Sequence, residues 1–260
     1  MKLYKNCAQR HNIAGECHTL RLGTLFGYRS IENPDIRDEE ERIHHFDINV
    51  STPVKLSGEN TNIIFPFIKI ASAKPSHYGG EYSAKAKHLN LLSIGNDGVT
   101  FTAERLEITR STMNAFVFCM SIAESRPEQI STSYDSYWEF DQSKLPKFVE
   151  GMAKEIIRAI HKDPSIIQGI DASTLPELTL ISRHSEIKYL PRRISCAHMS
   201  DAMVNELLET IGGITFIKPP EFSAEVEYRF VFDVTDGYTI YPPASDSITI
   251  NSEFARALID

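Results

Sequence analysis

Short apolar runs of strand length, set between turn residues instead of between helices, constrain this chain most. Thr19 to Leu25 alternates along its length, and Ala115 to Met120 is continuously apolar. Leu178 to Ser182 and Ala224 to Phe232 add two more runs. Alternation with period two marks a half-buried strand, and a continuous run marks one buried on both faces. Ile63-Ile64-Phe65-Pro66-Phe67-Ile68 also has strand length. Gly95-Asn96-Asp97-Gly98 lies between Leu91–Ile94 and Val99–Phe101, which reads as a hairpin. Val50-Ser51-Thr52-Pro53 and Ser72 to Ser76 read as turns or loops.

Helical periodicity is clear in two places. Phe148, Met152, Ile156, Ile157 and Ile160 share one face of a helix that starts near Ser143 and closes at Asp163-Pro164. A second helix follows Ser200-Asp201, carries Met203, Val204, Leu207, Leu208 and Ile211, and stops at Gly212-Gly213. A short helix is expected from Ser252 to Ile259. Strands outnumber helices and do not alternate with them, so a doubly wound parallel sheet is excluded. The pattern predicts an α+β fold, with mixed, mostly antiparallel sheets and flanking helices, as one domain over 1–260 with insertions.

Charge and cysteine usage narrow the function classes. Lys plus Arg total 27 against 35 Asp plus Glu, a net charge of −8, which argues against a nucleic-acid binder that relies on its overall field. Local basic groups remain at Arg21, Arg29, Arg37 and Arg42, and at Lys188, Arg192 and Arg193. No run of about 18 apolar residues exists, so no membrane span is expected. Met1 to Cys7 has no apolar signal-peptide core. Cys7, Cys17, Cys119 and Cys196 form no C-x-x-C pair, as expected of reduced thiols in a cytoplasmic protein. The nine His are scattered, and the adjacent His44 and His45 would point to opposite faces of a strand, so no metal site is expected.

Walker, dinucleotide-fingerprint, nucleophile-elbow and zincin motifs are absent. Three segments carry the chemistry that remains. In Glu225-Val226-Glu227-Tyr228-Arg229, strand periodicity would set Glu225, Glu227 and Arg229 in one row. Paired carboxylates raise one another's pKa unless a cation such as Arg229 intervenes; the plainer reading is a solvated face with an ion pair. In Leu20 to Ser30, Arg21 interrupts an apolar strand and Gly23 permits close approach. Thr24, Tyr28 and Arg29 follow; guanidinium, hydroxyl and ring together suit an anionic planar ligand, although an edge strand with a structural Gly turn fits the same residues. Third, Ser121 ends the buried run Ala115–Met120, with Ser131-Thr132-Ser133 as an alternative. Tyr134, Tyr137 and Trp138 read as core aromatics, and Asp35 to Arg42 as a solvated helix start.

The order of these segments (an Arg-x-Gly-Thr strand followed by Tyr, a middle Ser and a late Glu-x-Glu) resembles the ADP-ribosyltransferase superfamily. Leu22 to Glu32, with Asp38 and Glu39 after it, and the late Phe222-Ser223-Ala224-Glu225-Val226-Glu227-Tyr228-Arg229 also resemble an uncharacterised bacterial family, and bacterial members of this kind include toxins and phage-defence effectors. In size and first motif the chain also resembles the RNA-modifying toxins of chaperone-linked toxin–antitoxin modules. The resemblance implies NAD as co-substrate, with Glu227 stabilising the ribosyl cation, Glu225 orienting or deprotonating the acceptor, and Tyr28 stacking on nicotinamide. Arg21, Gly23, Thr24, Arg29 and Ser121 would complete the NAD site, either Ser121 or Ser131–Ser133 filling the middle position. It further implies a macromolecular acceptor, RNA before DNA or protein, and an antitoxin protein and a chaperone as partners. Two other readings compete: a non-catalytic nucleotide- or partner-binding module, and a nuclease or other hydrolase using Glu225, Glu227 and the His residues.

Overall fold

The computed structural model describes residues 1–29, 40, 43–65, 68, 70, 80–124, 134–171, 173–196 and 201–259. The chain divides into two compact units: 1–41, 114–189 and 220–260 form the first, and 42–113 and 190–219 the second.

The first unit is built on an eight-stranded sheet. Its middle is the strand Phe116–Ala123, flanked by Lys2–Cys7 and by Glu227–Thr235. Ser136–Asp141 extends the sheet beyond Lys2–Cys7, and Thr179–Glu186 extends it beyond Glu227–Thr235. Thr19–Thr24 joins the start of the middle strand and carries Ser247–Asn251 on its other side. These pairings are all antiparallel.

Strand parity divides the sheet into an apolar face and a polar one. Phe116, Phe118, Met120 and Ile122 alternate along the middle strand, as do Tyr228, Phe230, Phe232 and Val234 on its neighbour, and all enter one core. The helix Leu145–Lys162 covers that face with Leu145, Phe148, Met152, Ile156 and Ile160, while Ile157 packs at the edge. Pro146 suits its first turn, and Pro164 stops it just after the cap Asp163. Phe148 is the hub: its ring centroid lies 4.7 Å from that of Phe140 and 5.2 Å from that of Phe230. Burying each such side chain contributes roughly 1.5–3 kcal/mol. Trp138 stacks between Phe118 and Phe140 in the same core.

The second unit pairs Ile43–Ser57 with Gly98–Ser111, which in turn carries Tyr82–Lys87 and Asn90–Gly95. Arg193–Cys196 adds to Ile43–Ser57 in parallel. Phe46, Ile48, Phe101 and Ile108 form its core with Leu207 and Ile211 of the helix Asp201–Gly212. The expected hairpin is present, with Asn96 and Asp97 as its two-residue loop.

The observed class is α+β with mostly antiparallel sheets, and several local expectations are corrected. Val50 to Pro53 is not a loop but an irregularity inside one long strand, where the register shifts between Val50 and Val54. Ile63 and Ile64 end the short helix Gly58–Ile64, because Ser57 caps it by accepting the Asn60 N–H at 3.2 Å. The last helix is only Glu253–Arg256. The late strand starts at Glu227, three residues after the expected start at Ala224.

Gly151 lies in the covering helix where the Phe254 ring presses closest. A Cβ there would sit 2.3 Å from Phe254 Cδ2. Gly151→Ala, which by helix propensity alone gains about 1 kcal/mol, is therefore expected to lower the thermal midpoint in a calorimetric scan.

Candidate active site

The polar face of the first unit's sheet gathers the candidate residues. Ser121 lies opposite Glu227, and Cys119 opposite Arg229. These four share a face because each pair has the same parity and the core takes the other. Arg229 Nε donates to Glu227 Oε1 at 2.6 Å, with Arg229 only 1% and Glu227 4% exposed. Desolvating two charges costs several kcal/mol, and only close, well-aligned pairing offsets it. The Glu227 N–H donates to Tyr189 Oη at 2.8 Å.

Thr19–Thr24 brings in the early segment. Gly23 pairs with Val117 and therefore faces the polar side. The Tyr28 ring rests on it: a Cβ at position 23 would lie 3.3 Å from Tyr28 Cε2. The Tyr28 hydroxyl donates to Cys119 Sγ at 3.3 Å. Burial pushes the Tyr28 phenol well up, Cys119 and Glu227 add to this, and Arg229 opposes it. Burial and the Glu227 charge push the Cys119 thiol up to about 12. Both groups are thus held protonated at neutral pH, and Cys119 is no nucleophile.

Sequence reasoning misplaced two of the three aromatics: Tyr137 is exposed, and Tyr134 is only partly buried. Grouped with Tyr137 and Trp138 as core, Tyr134 lies instead within electrostatic reach of Glu225, Cys119, Cys7 and Arg21. Burial raises its phenol first, the Glu225 carboxylate adds to the rise, and Arg21 counters it. No sequence signal separates it from Trp138, since both are aromatics on one short stretch. Arg21 itself is exposed, and its Nε donates to Ser247 Oγ at 3.1 Å.

Other candidates fall elsewhere or act differently. Glu225 is not in the Glu227–Arg229 row; it ends the 3-10 segment Pro220–Glu225, so strand parity does not apply to it. Thr24 is fully buried and its Oγ1 accepts the Gly27 N–H at 3.0 Å, which makes it a turn brace facing away from Arg21 and Gly23. Ser121 Oγ donates to the Glu225 carbonyl at 2.8 Å. Arg29 closes the 3-10 turn Gly27–Arg29 with its backbone. The Arg29 side chain lies outside the described residues, as do Ser131–Ser133, Arg37 and most of the acidic stretch Asp35 to Arg42. Of the second basic group, Arg193 is paired to Asp47 at 2.6 Å and holds that carboxyl below its ordinary range, while Arg192 donates to the Ile43 carbonyl. Among the described residues, no group of three or more His, Cys, Asp or Glu is placed to hold a metal ion. Nor is any helix among them long and apolar enough to cross a membrane.

No family model, curated protein or solved structure matches this chain.

The buried pair and the raised thiol give two tests. Arg229→Met strands a buried carboxylate and is expected to cost about 3–5 kcal/mol in denaturant unfolding, with much of the loss recovered in Arg229→Met/Glu227→Gln. Folded protein treated with iodoacetamide at pH 8 should keep Cys119 unmodified by mass spectrometry, and unfolded protein should not.

Proposed function

We propose that the first unit is an NAD-dependent ADP-ribosyltransferase. The observation that carries this reading is the meeting of two distant sequence segments on one sheet face. Tyr28, folded over Gly23 of the early Arg-x-Gly segment, donates to Cys119 on the face that carries Glu227 and Arg229 of the late segment, and Tyr134 lies within electrostatic reach of both Arg21 and Glu225. A buried carboxylate with a fixed counter-ion suits stabilisation of a ribosyl cation, since its orientation is set before substrate arrives.

In this reading the nicotinamide–ribose bond breaks with its electron pair leaving on nicotinamide. The ribosyl carbon gains cationic character beside Glu227. The acceptor attacks that carbon and surrenders its proton to Glu225. Arg21, exposed and held by Ser247 through one nitrogen only in the contacts described, offers its remaining donors to the pyrophosphate. The Tyr28 phenol, neutral at working pH, supplies a ring next to the reacting centre. An RNA acceptor, an antitoxin protein and a chaperone follow from the sequence resemblance and a cytoplasmic setting from the cysteine pattern, and they belong to the same proposal.

Incubation with NAD labelled in the adenylate, in the presence of RNA, DNA and protein, tests it. Nicotinamide should appear together with labelled macromolecule. Glu227→Gln should abolish both; because it strands the buried Arg229 charge, Arg229→Met/Glu227→Gln, which removes both charges, is the folded control and should be equally inactive with the circular dichroism of the wild type. Labelling of RNA should fall steeply as salt rises; a flat salt response would point to a protein acceptor. Substrate cleavage without NAD, or full turnover by folded Glu227→Gln, would end the reading.

A further inference from the structure

Between the two carboxylates stands the most strained backbone of the first unit. Val226 has φ +44, a left-handed conformation. For a β-branched residue this is a genuine outlier, because the branched Cβ crowds the following carbonyl. Among the described residues His88 is the other non-glycine with positive φ. Packing does not offset the strain at Val226, since its side chain is 41% exposed.

Backbone hydrogen bonds do. The Val226 carbonyl accepts from the Ile122 N–H at 2.9 Å, and its N–H donates to the Ser223 carbonyl at 3.2 Å. On one side Ser121 Oγ grips the Glu225 carbonyl at 2.8 Å; on the other the Glu227 N–H is held by Tyr189 Oη at 2.8 Å. Three bonds from two other segments and one within the preceding 3-10 segment thus fix a three-residue stretch that would otherwise extend the strand. Extension would carry Glu225 into the Glu227 row, two carboxylates on one face at strand spacing. The left-handed turn instead takes Glu225 out of that row, within electrostatic reach of Tyr134, while Glu227 keeps Arg229. Strain of this kind persists only where the surroundings over-determine it.

We infer that Val226 is a positioning residue: its left-handed backbone, clamped by Ser121 and Tyr189, separates Glu225 from Glu227 so that one can serve the acceptor and the other the ribose. This rests on the transferase reading for its catalytic part. Its structural part stands without it.

Two measurements test it on the full chain. The first ignores catalysis. Asn visits the left-handed region readily, so Val226→Asn should raise the folding equilibrium constant by about 5-fold, while Val226→Ile should not. A Val226→Asn protein no more stable than wild type overturns the inference. The second is a double-mutant cycle on nicotinamide release. Ser121→Ala should lower kcat about 10-fold with little change in KM for NAD, because the misplaced Glu225 is not a binding group. In the Val226→Asn background, where the turn no longer needs its clamp, the same change should cost about 3-fold or less. Equal losses in both backgrounds overturn the positioning role. Wild-type protein that releases no nicotinamide sinks the transferase reading instead, and leaves the stability result to decide on the strain.

Discussion

Arg229 and Glu227 are joined by a 2.6 Å charge-assisted bond inside a strand whose nine residues are all buried. Neither charge is tolerable there alone. Pairing them permits a carboxylate to stand in the middle of a sheet, and that carboxylate sets the electrostatics of its neighbours. Burial is the first cause that pushes up both the Cys119 thiol and the Tyr28 phenol; Glu227 comes next for the thiol, and Cys119 and then Glu227 for the phenol. Burial, with the Glu227 charge added to it and Arg229 opposing, keeps the thiol and the phenol neutral beside the ion pair.

The apolar face makes this arrangement rigid. The covering helix locks the sheet through Phe148, Phe140, Trp138 and Phe230, so the strands bearing Cys119, Ser121, Glu227 and Arg229 share one register. Gly23 then decides how closely the Tyr28 ring can lie on the sheet. Thr24, one residue on, braces the turn that returns Tyr28 towards it. Two adjacent residues of one motif thus do different work on opposite faces, which strand parity requires.

Much of the fold was legible because periodicity reports burial. The covering helix, the helix Asp201–Gly212, the Asn96-Asp97 hairpin and the strand Phe116–Ala123, read from the apolar run Ala115–Met120, all follow from apolar spacing and turn residues. Legibility failed where a local rule met a tertiary hydrogen bond. Glu225 looked like a strand residue by alternation, yet Ser121 and Ile122 hold its neighbourhood in a left-handed turn. Tyr134 looked like Trp138, yet only Trp138 entered the core. Arg192 and Arg193 looked like a basic patch, yet Asp47 and a carbonyl engage them.

By itself the sequence determined which residues alternate and which helices are amphipathic. Those are properties of short windows, where side-chain period and hydrophobicity suffice. It left open that Glu227 and Arg229, readable as a solvated face, are buried. Only the tertiary structure decided that Tyr28 reaches Cys119 on the face of the Glu227–Arg229 pair, that Tyr134 lies within electrostatic reach of Glu225 and Arg21, that Thr24 turns away to brace a turn, and that Val226 bends the chain between the two carboxylates. Those outcomes depend on pairing registers and hydrogen bonds between segments far apart in the chain, and no local pattern encodes a partner it does not contain.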